Sequence, residues 1–449
     1  MKDEMNYRRA LTPLLILTAI LLSPQLTRAQ NSGATRDTLT LVEAVRMAVQ
    51  AAPALHAAEA SVDAAKAHVK EIDSYAYPQL SGNAGYTRID PVISLDIPVG
   101  PGKTQTFSTM PNDNYTAGLN VSQLITGFGR EGAEERVAES GIKSAEDNLD
   151  QARMTAAYQT VQVYYAMLTS DESIRVVQDQ LSVVKENLTT TETHEKQGTV
   201  TSLDPLSVRV RISALESQIA ELSANRKKQE AMLHRLTGIA PGVHIPVTRP
   251  LRDLKVSGNF DTLVTIAEKQ RPEITLSKDA ENTARLAVEA AKTTNYPVLS
   301  ANVAGGVKDG YLPNLTDPKL NWSGNISLHV PILDGGLASS QVEQAEANLR
   351  VAETRTLDAR RSIASDIEQA EADLESNGTR LLGMKVQIEQ AQQAYDVANV
   401  RYKNGAATSL DVLTAQSALE DAYLQSAQVR YAFELSLYNV NRAIGTPMW

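Results

Sequence analysis

Three groups of residues in this sequence have types and spacings that could do chemistry. Gly127-Phe128-Gly129-Arg130-Glu131-Gly132 fits the pattern that cradles a dinucleotide pyrophosphate, and it lies after a strand pattern and opens a helical one. The helix that follows is far too long for a βαβ unit and no second parallel strand comes after it, so these glycines read instead as a turn joining two elements. His194-Glu195 begins a zinc-protease motif but lacks the second histidine. The other histidines, His56, His68, His234, His244 and His329, form no ligand pair at useful spacing. With no cysteine in 449 residues there is no thiolate metal site, no disulfide framework and no lipid-anchored cysteine. No nucleophile, base and oxyanion arrangement can be picked out, so neither an enzyme nor a cofactor is expected. The third group is Asp204 and Asp411. Thr201 and Asp204, like Thr408 and Asp411, stand three apart at a helix start, the spacing of a capping box. Alternatively Asp204 is itself the N-cap, with Pro205 at the first helical position.

The elements that position these aspartates occur twice. Each half begins with an Ala-rich helical pattern, 41–75 and 263–294, with Pro53 and Pro78 spaced like Pro272 and Pro297. The second proline leads a strand, at about 79–89 and 298–307, and a second strand follows at about 114–123 and 320–331. The strands end at Gly127-Phe128-Gly129 and at Asp334-Gly335-Gly336, the turns that pass the chain to a long helix, 130–197 or 337–404. Gly198-Thr199-Val200-Thr201-Ser202-Leu203-Asp204 then matches Gly405-Ala406-Ala407-Thr408-Ser409-Leu410-Asp411, and a last helix runs over 203–236 or 409–443. Such self-similarity marks duplicated halves, placed here at 30–240 and 263–449 with a linking equatorial segment at 241–262. The first half carries extra residues in a loop between Tyr86 and Tyr115, which contains Pro91, Pro98, Pro101 and Pro111.

Periodicity separates the two kinds of element. Val412, Ala415, Leu419, Ala422, Ser426, Val429, Phe433, Ser436 and Val440 keep a 3,4 spacing, a coiled-coil seam of many small residues. The strands alternate: Tyr115, Ala117, Leu119 and Val121 oppose Thr116, Gly118, Asn120 and Ser122, and Trp322, Gly324, Ile326 and Leu328 oppose Ser323, Asn325 and Ser327. Each long helix would extend about 100 Å, a length without use in a compact globule. Thr169-Ser170-Asp171 and Ser376-Asn377-Gly378 look like weak spots in these helices, marking an equatorial belt where 245–260 and the chain ends pack.

The N-terminus, with Lys2, Arg8 and Arg9 before an apolar run from Leu11 to Leu22 and an exit at Thr27-Arg28-Ala29, predicts a signal peptide over 1–29. Its removal takes the formal charge from −10 to −12, which argues against nucleic acid as a partner. No later stretch is apolar enough for a spanning helix, so any crossing of a membrane must be by strands. Four strands of about ten residues suit an outer membrane but cannot close a barrel, which needs at least about eight. The sequence therefore demands a homo-oligomer, of order left open. Polar strand faces would line a wet lumen, with Tyr86, Tyr115 and Trp322 as candidate girdle aromatics.

The ordered set of helix, Pro-led strand, loop, strand, Gly-rich turn, long helix, tip and helix, present twice, resembles the TolC or outer membrane efflux protein family. Tyr402-Lys403-Asn404-Gly405 through Ser409-Leu410-Asp411-Val412-Leu413 is particularly similar to that family's C-terminal half. The resemblance implies a mainly α fold with a transmembrane β-barrel portion: a homotrimer whose 12-stranded barrel continues into a long α-helical coiled-coil barrel. It implies an outer-membrane location with a long periplasmic extension. The expected function is the exit duct of a tripartite efflux system, with outer-membrane lipid, a periplasmic adaptor (membrane fusion) protein and an inner-membrane pump of RND or ABC type as partners. The same architecture would serve a type I protein-secretion channel, and a pore-less periplasmic scaffold is the reading of a different class. Matching the tips makes Asp204, Tyr402 and Asp411 the entrance constriction and latch, with Asp411 in a cation-selecting ring and Tyr402 hydrogen-bonded to Asp204. Gly198, Thr201, Ser202, Leu203, Gly405, Thr408, Ser409 and Leu410 become the adaptor-docking tips, and Gly127, Gly129, Gly335 and Gly336 the barrel-to-tunnel turns. The chain departs from the best-known pattern at Ala407, where the latch has an arginine, and at Thr414, where a second aspartate stands, so a weaker latch and one acidic ring are expected.

Overall fold

A computed structural model describes residues 38–250, 259–312 and 314–447; the expected leader and part of the 241–262 segment lie outside them. The first half runs through α1 (Leu41–Ala51), α2 (Pro53–Ser74), β1 (Gln79–Arg88), β2 (Ser94–Gly100), β3 (Lys103–Ser108), β4 (Asp113–Thr126), α3 (Arg130–Lys196) and α4 (Leu203–Thr237). The second runs through α5 (Phe260–Gln270), α6 (Pro272–Lys292), β5 (Val298–Lys308), β6 (Lys319–His329), α7 (Leu337–Lys403) and α8 (Ser409–Ala443).

Two expected helices are each broken in two. Pro53 and Pro272 open α2 and α6, and the residues before them, Ala52 (ψ 127°) and Arg271 (ψ 125°), are extended. A proline's ring drives its predecessor out of the helical region, while its missing amide costs nothing at a helix start. The Ala-rich pattern continues on both sides, which hides the break. The weak spots, by contrast, break nothing: α3 and α7 run unbroken through both. Ser170 and Asp171 instead hold α4, through Gln229 at 2.9 Å and Arg226 at 3.0 Å.

Each long helix carries a shorter one on either half of its length, α2 and α4 along α3, α6 and α8 along α7, and α3 also touches α6 and α8 to join the halves. The main core is a belt at mid-length, where Leu41, Ala44 and Val45 of α1 meet Val161, Tyr164 and Met167 of α3, Leu233 of α4 and Tyr438 of α8. The chain after α4 returns to this belt: Leu39 bridges Val247 in parallel, and the Tyr164 hydroxyl lies 2.7 Å from the carbonyl oxygens of both Leu39 and Thr248. A sister cluster joins Leu263 and Ala267 of α5 to Ile363 and Ile367 of α7 and Val440 of α8. Each cluster has a buried arginine facing two carboxylates: Arg226 with Asp171 and Glu230, Arg271 with Glu273 and Asp366.

The four long strands form one antiparallel sheet in the order β1-β4-β5-β6. Its register segregates the faces. Leu80, Tyr86, Tyr115, Leu119, Val121, Val303, Val307, Leu320, Trp322 and Ile326 share one face, whereas Ser81, Asn83, Asn120, Ser122, Ser300, Asn302, Asn325 and Ser327 share the other. Both faces are largely open to solvent in the protomer, and β1 and β6 each keep an unpaired edge. The region read as a loop between Tyr86 and Tyr115 contains a second sheet, the β2–β3 hairpin. Among the described residues no helix is long and apolar enough to cross a membrane.

Candidate functional site

At one end of the bundle the two helical tips are built alike. Gly198 and Gly405, both at φ 71°, end α3 and α7 in the left-handed conformation that favours glycine. Thr199 N donates to His194 O at 3.0 Å and Gly198 N to Glu195 O at 2.9 Å. Ala406 N to Arg401 O and Gly405 N to Tyr402 O repeat the pattern, both at 2.9 Å. These paired bonds are Schellman motifs, which satisfy the last carbonyls of each long helix and turn the chain back on itself.

The next helices start differently in the two tips. Thr408 caps α8 in a complete capping box: its hydroxyl accepts from the Asp411 amide at 3.2 Å, and Asp411 Oδ2 accepts from the Thr408 amide at 2.8 Å. In the first tip only the carboxylate half is made, Asp204 Oδ2 accepting from Thr201 N at 2.9 Å and Thr201 Oγ1 at 2.8 Å. Since α4 starts at Leu203, Pro205 is its third residue and Asp204 is not the N-cap. The other oxygen of Asp204 is thereby free to reach across, and it accepts a hydrogen bond from the Ser409 hydroxyl of the second tip.

In the protomer this cross-tip bond occupies Asp204 where the family resemblance implies a bond from Tyr402. The Tyr402 hydroxyl is buried without a hydrogen-bond partner among the described residues, and its ring meets His194 edge-on at 6.2 Å between centroids. The Ser409 hydroxyl, followed by the hydroxyl and amide of Thr201, holds the Asp204 carboxyl below the ordinary carboxylate range despite partial burial. The Thr408 amide and then its hydroxyl do the same for the exposed Asp411. Both carboxylates therefore stay ionised at neutral pH. Asp411 shares an open groove with Arg401, Val397 and Ala407, so a cation flanks it even without an arginine at 407. Thr201, Ser202, Leu203, Thr408 and Leu410 are exposed at the tips, with Leu203 and Leu410 both 68% exposed; Ser409 is buried against its neighbours.

At the opposite end the sheet passes to the helices through two turns. In the second half Gly335 (φ 64°) and Gly336 (φ 90°) are left-handed; in the first the matching residues are Phe128 (φ 56°) and Gly129 (φ 106°). Gly127 is not left-handed, and a Cβ there would meet only the Glu131 carboxylate, at 2.3 Å, the movable end of a side chain that would have to turn aside. Asp334, the counterpart of Gly127, accepts from the amides of Gly336 and Ala338, both at 2.9 Å, capping α7. Among the described residues no group of three or more His, Cys, Asp or Glu is placed to hold a metal ion.

The sequence model of a family described as "Outer membrane efflux protein" matches residues 44–239 and 263–446. Outer membrane protein TolC of Escherichia coli (strain K12) is 24% identical over 461 residues, covering 98% of this chain and 87% of that protein. The pyoverdine export outer membrane protein OpmQ of Pseudomonas aeruginosa is 24% identical over 359 residues, covering 77% of this chain and 73% of that one. Among solved structures, the Campylobacter jejuni CmeC outer membrane channel is similar in fold, with a TM-score of 0.73, 20% identity and coverage of 97% of this chain and 95% of that one.

Proposed function

Because the chain belongs to the outer membrane efflux protein family, a family of outer-membrane transport proteins, we propose that it is one protomer of a homotrimeric exit duct. In this reading the duct passively conducts solutes that an inner-membrane pump delivers through a periplasmic adaptor. The observation that carries the proposal is the open four-stranded sheet, with apolar and polar residues segregated to its two faces and both edges unpaired. Such a sheet is stable in a bilayer only when closed, and three copies would close it with twelve strands. The apolar face then meets lipid and the face of hydroxyls and amides encloses water. Beneath it the paired helices, about 100 Å long, continue the wall as a tunnel.

The tips at the far end form the entrance in this reading. Three cross-tip Ser409–Asp204 bonds restrain it, three Asp411 carboxylates favour cations there, and the exposed Thr201, Ser202, Leu203, Thr408 and Leu410 meet the adaptor. The test is the mass of the detergent-extracted protein together with its current in planar bilayers. A trimer forming water-filled channels is the expected result. A soluble, non-conducting protein would instead be a periplasmic scaffold, and a membrane-inserted monomer would overturn the proposal outright.

A further inference from the structure

The β2–β3 hairpin belongs to the first half alone, and its two faces differ. Leu95, Ile97 and Phe107 lie on one face, Leu95 opposite Phe107 and Ile97 opposite Gln105, while Ser94, Asp96, Thr106 and Ser108 lie on the other, where the Thr106 hydroxyl donates to Asp96. Ile93 and Val99 flank the apolar face, and these five apolar side chains are 42–68% exposed. Among the described residues the hairpin makes no extended contact with any other strand or helix of the protomer. An isolated two-stranded hairpin is marginal in water, and an uncovered apolar face adds to the cost. The cover must therefore come from outside the protomer.

Hydrocarbon is not that cover. Tyr86 and Tyr115, rings 5.1 Å apart, end the apolar band of β1 and β4 in the manner of an interfacial girdle, and Arg88 pairs with Asp113 at 3.1 Å beyond them. The hairpin begins past that ion pair, on the aqueous side. It also continues from β1, the edge strand at which a neighbouring copy attaches in a closed ring. Its reach is sufficient. Twelve strands about 4.8 Å apart and tilted about 40° enclose a radius of roughly 12 Å, whereas a seven-residue strand extends roughly 23 Å.

Resting on the trimeric duct reading, we infer that the three hairpins of the trimer meet over the outer mouth and cover one another's apolar faces, forming an outer constriction. The occupant of each apolar face is the same hairpin of the other two copies. Apolar side chains crowded over a polar lumen exclude water, and such constrictions gate by dewetting. The duct is thereby closed to entry from outside at an end remote from the Asp204 and Asp411 tips.

The absence of cysteine makes the test direct, because one introduced thiol reports alone. In the detergent-extracted trimer, oxidised Ile97→Cys should give a covalent dimer and a residual monomer on a denaturing gel, since three thiols about an axis can pair only once. Thr106→Cys, on the polar face, should stay monomeric. Leu95→Ser with Ile97→Ser should raise single-channel conductance roughly twofold or more by wetting the constriction. The inference is overturned by a sound trimer in which the Ile97→Cys thiol resists oxidation and a short bismaleimide and is alkylated as fast as Thr106→Cys. Unchanged conductance in the double serine variant would overturn it equally. A monomeric or non-conducting wild type would bring down the duct reading itself, an outcome distinct from uncovered hairpins on a working channel.

Discussion

Ser409→Ala isolates the cross-tip bond better than any change at Asp204, because it leaves both helix caps in place. Ser409 is the first residue of α8, whose cap is the Thr408–Asp411 box, and Thr201 continues to hold the other oxygen of Asp204. A hydrogen bond to a charged group contributes about 1.5–3 kcal/mol, and partial exposure of Asp204 discounts this to about 1–2 kcal/mol. At 1.4 kcal/mol per tenfold, the separated arrangement of each tip pair should gain a factor of about 5–30 in population. Single-channel recording should show this as higher resting conductance or longer open events, with stability of the proposed trimer nearly unchanged. Thr201→Ala is the matched control, removing a hydroxyl bond to the other oxygen of Asp204, worth about 1 kcal/mol, while keeping the Thr201 amide bond and the cross-tip bond. Asp411→Asn should act differently, lowering cation selectivity without opening the tip, and the selectivity of the parent should fade above about 0.1 M salt, where screening reaches about 10 Å. A Ser409→Ala channel with the resting conductance of the parent, alongside a selectivity change in Asp411→Asn, would refute the tie.

Two further outcomes follow from buried polar atoms. Tyr402→Phe removes an unpartnered buried hydroxyl, so it should leave stability within about 0.5 kcal/mol or raise it, and leave conductance unchanged; a marked rise in conductance would mean that a neighbouring copy supplies the missing partner. The Asp147 carboxyl on α3 is pushed up to about 6 by its burial and by the neighbouring Asp279, so its proton is retained in the folded state at pH values where the unfolded chain has lost it. The stability it contributes is full below about pH 4 and lost as pH rises through about 6, amounting to about 1 kcal/mol after solvent screening; thermal melts of the parent and Asp147→Asn should therefore diverge in slope between these values, and parallel curves would contradict the assignment.

What the sequence made legible was whatever repeats or alternates. The Pro78 and Pro297 strand starts, the alternation along β4 and β6, and the matching glycines at 198 and 405 are local signals, each with its physical cause within a few residues. The breaks in the first helices of each half are masked in the sequence because alanine-rich periodicity runs through Pro53 and Pro272, which sit at helix starts rather than in interiors. The hairpin hid for the opposite reason, since Pro98 and Pro101 suggest a loop although Ser94-Leu95-Asp96-Ile97 alternates. Phe128 in a left-handed conformation could be found only through its match with Gly335. The Ser409–Asp204 bond joins residues 205 apart in sequence, and nothing local to either distinguishes it from the Tyr402 alternative.

The unpaired edges of β1 and β6 give the chain a problem of timing. Until a ring closes, each protomer offers two rows of free amides and carbonyls that will pair with any strand that arrives first. On the proposed trimeric reading, closure by two further copies is a race whose speed depends on local concentration, whereas wrong pairing needs only one stray partner. Folding of the helices and completion of the sheet are thus separate events, and the interval between them is when the chain is most open to proteolysis and to capture by chaperones. Underproduction lengthens that interval. The yield of finished channel should therefore fall more steeply than the supply of protomers.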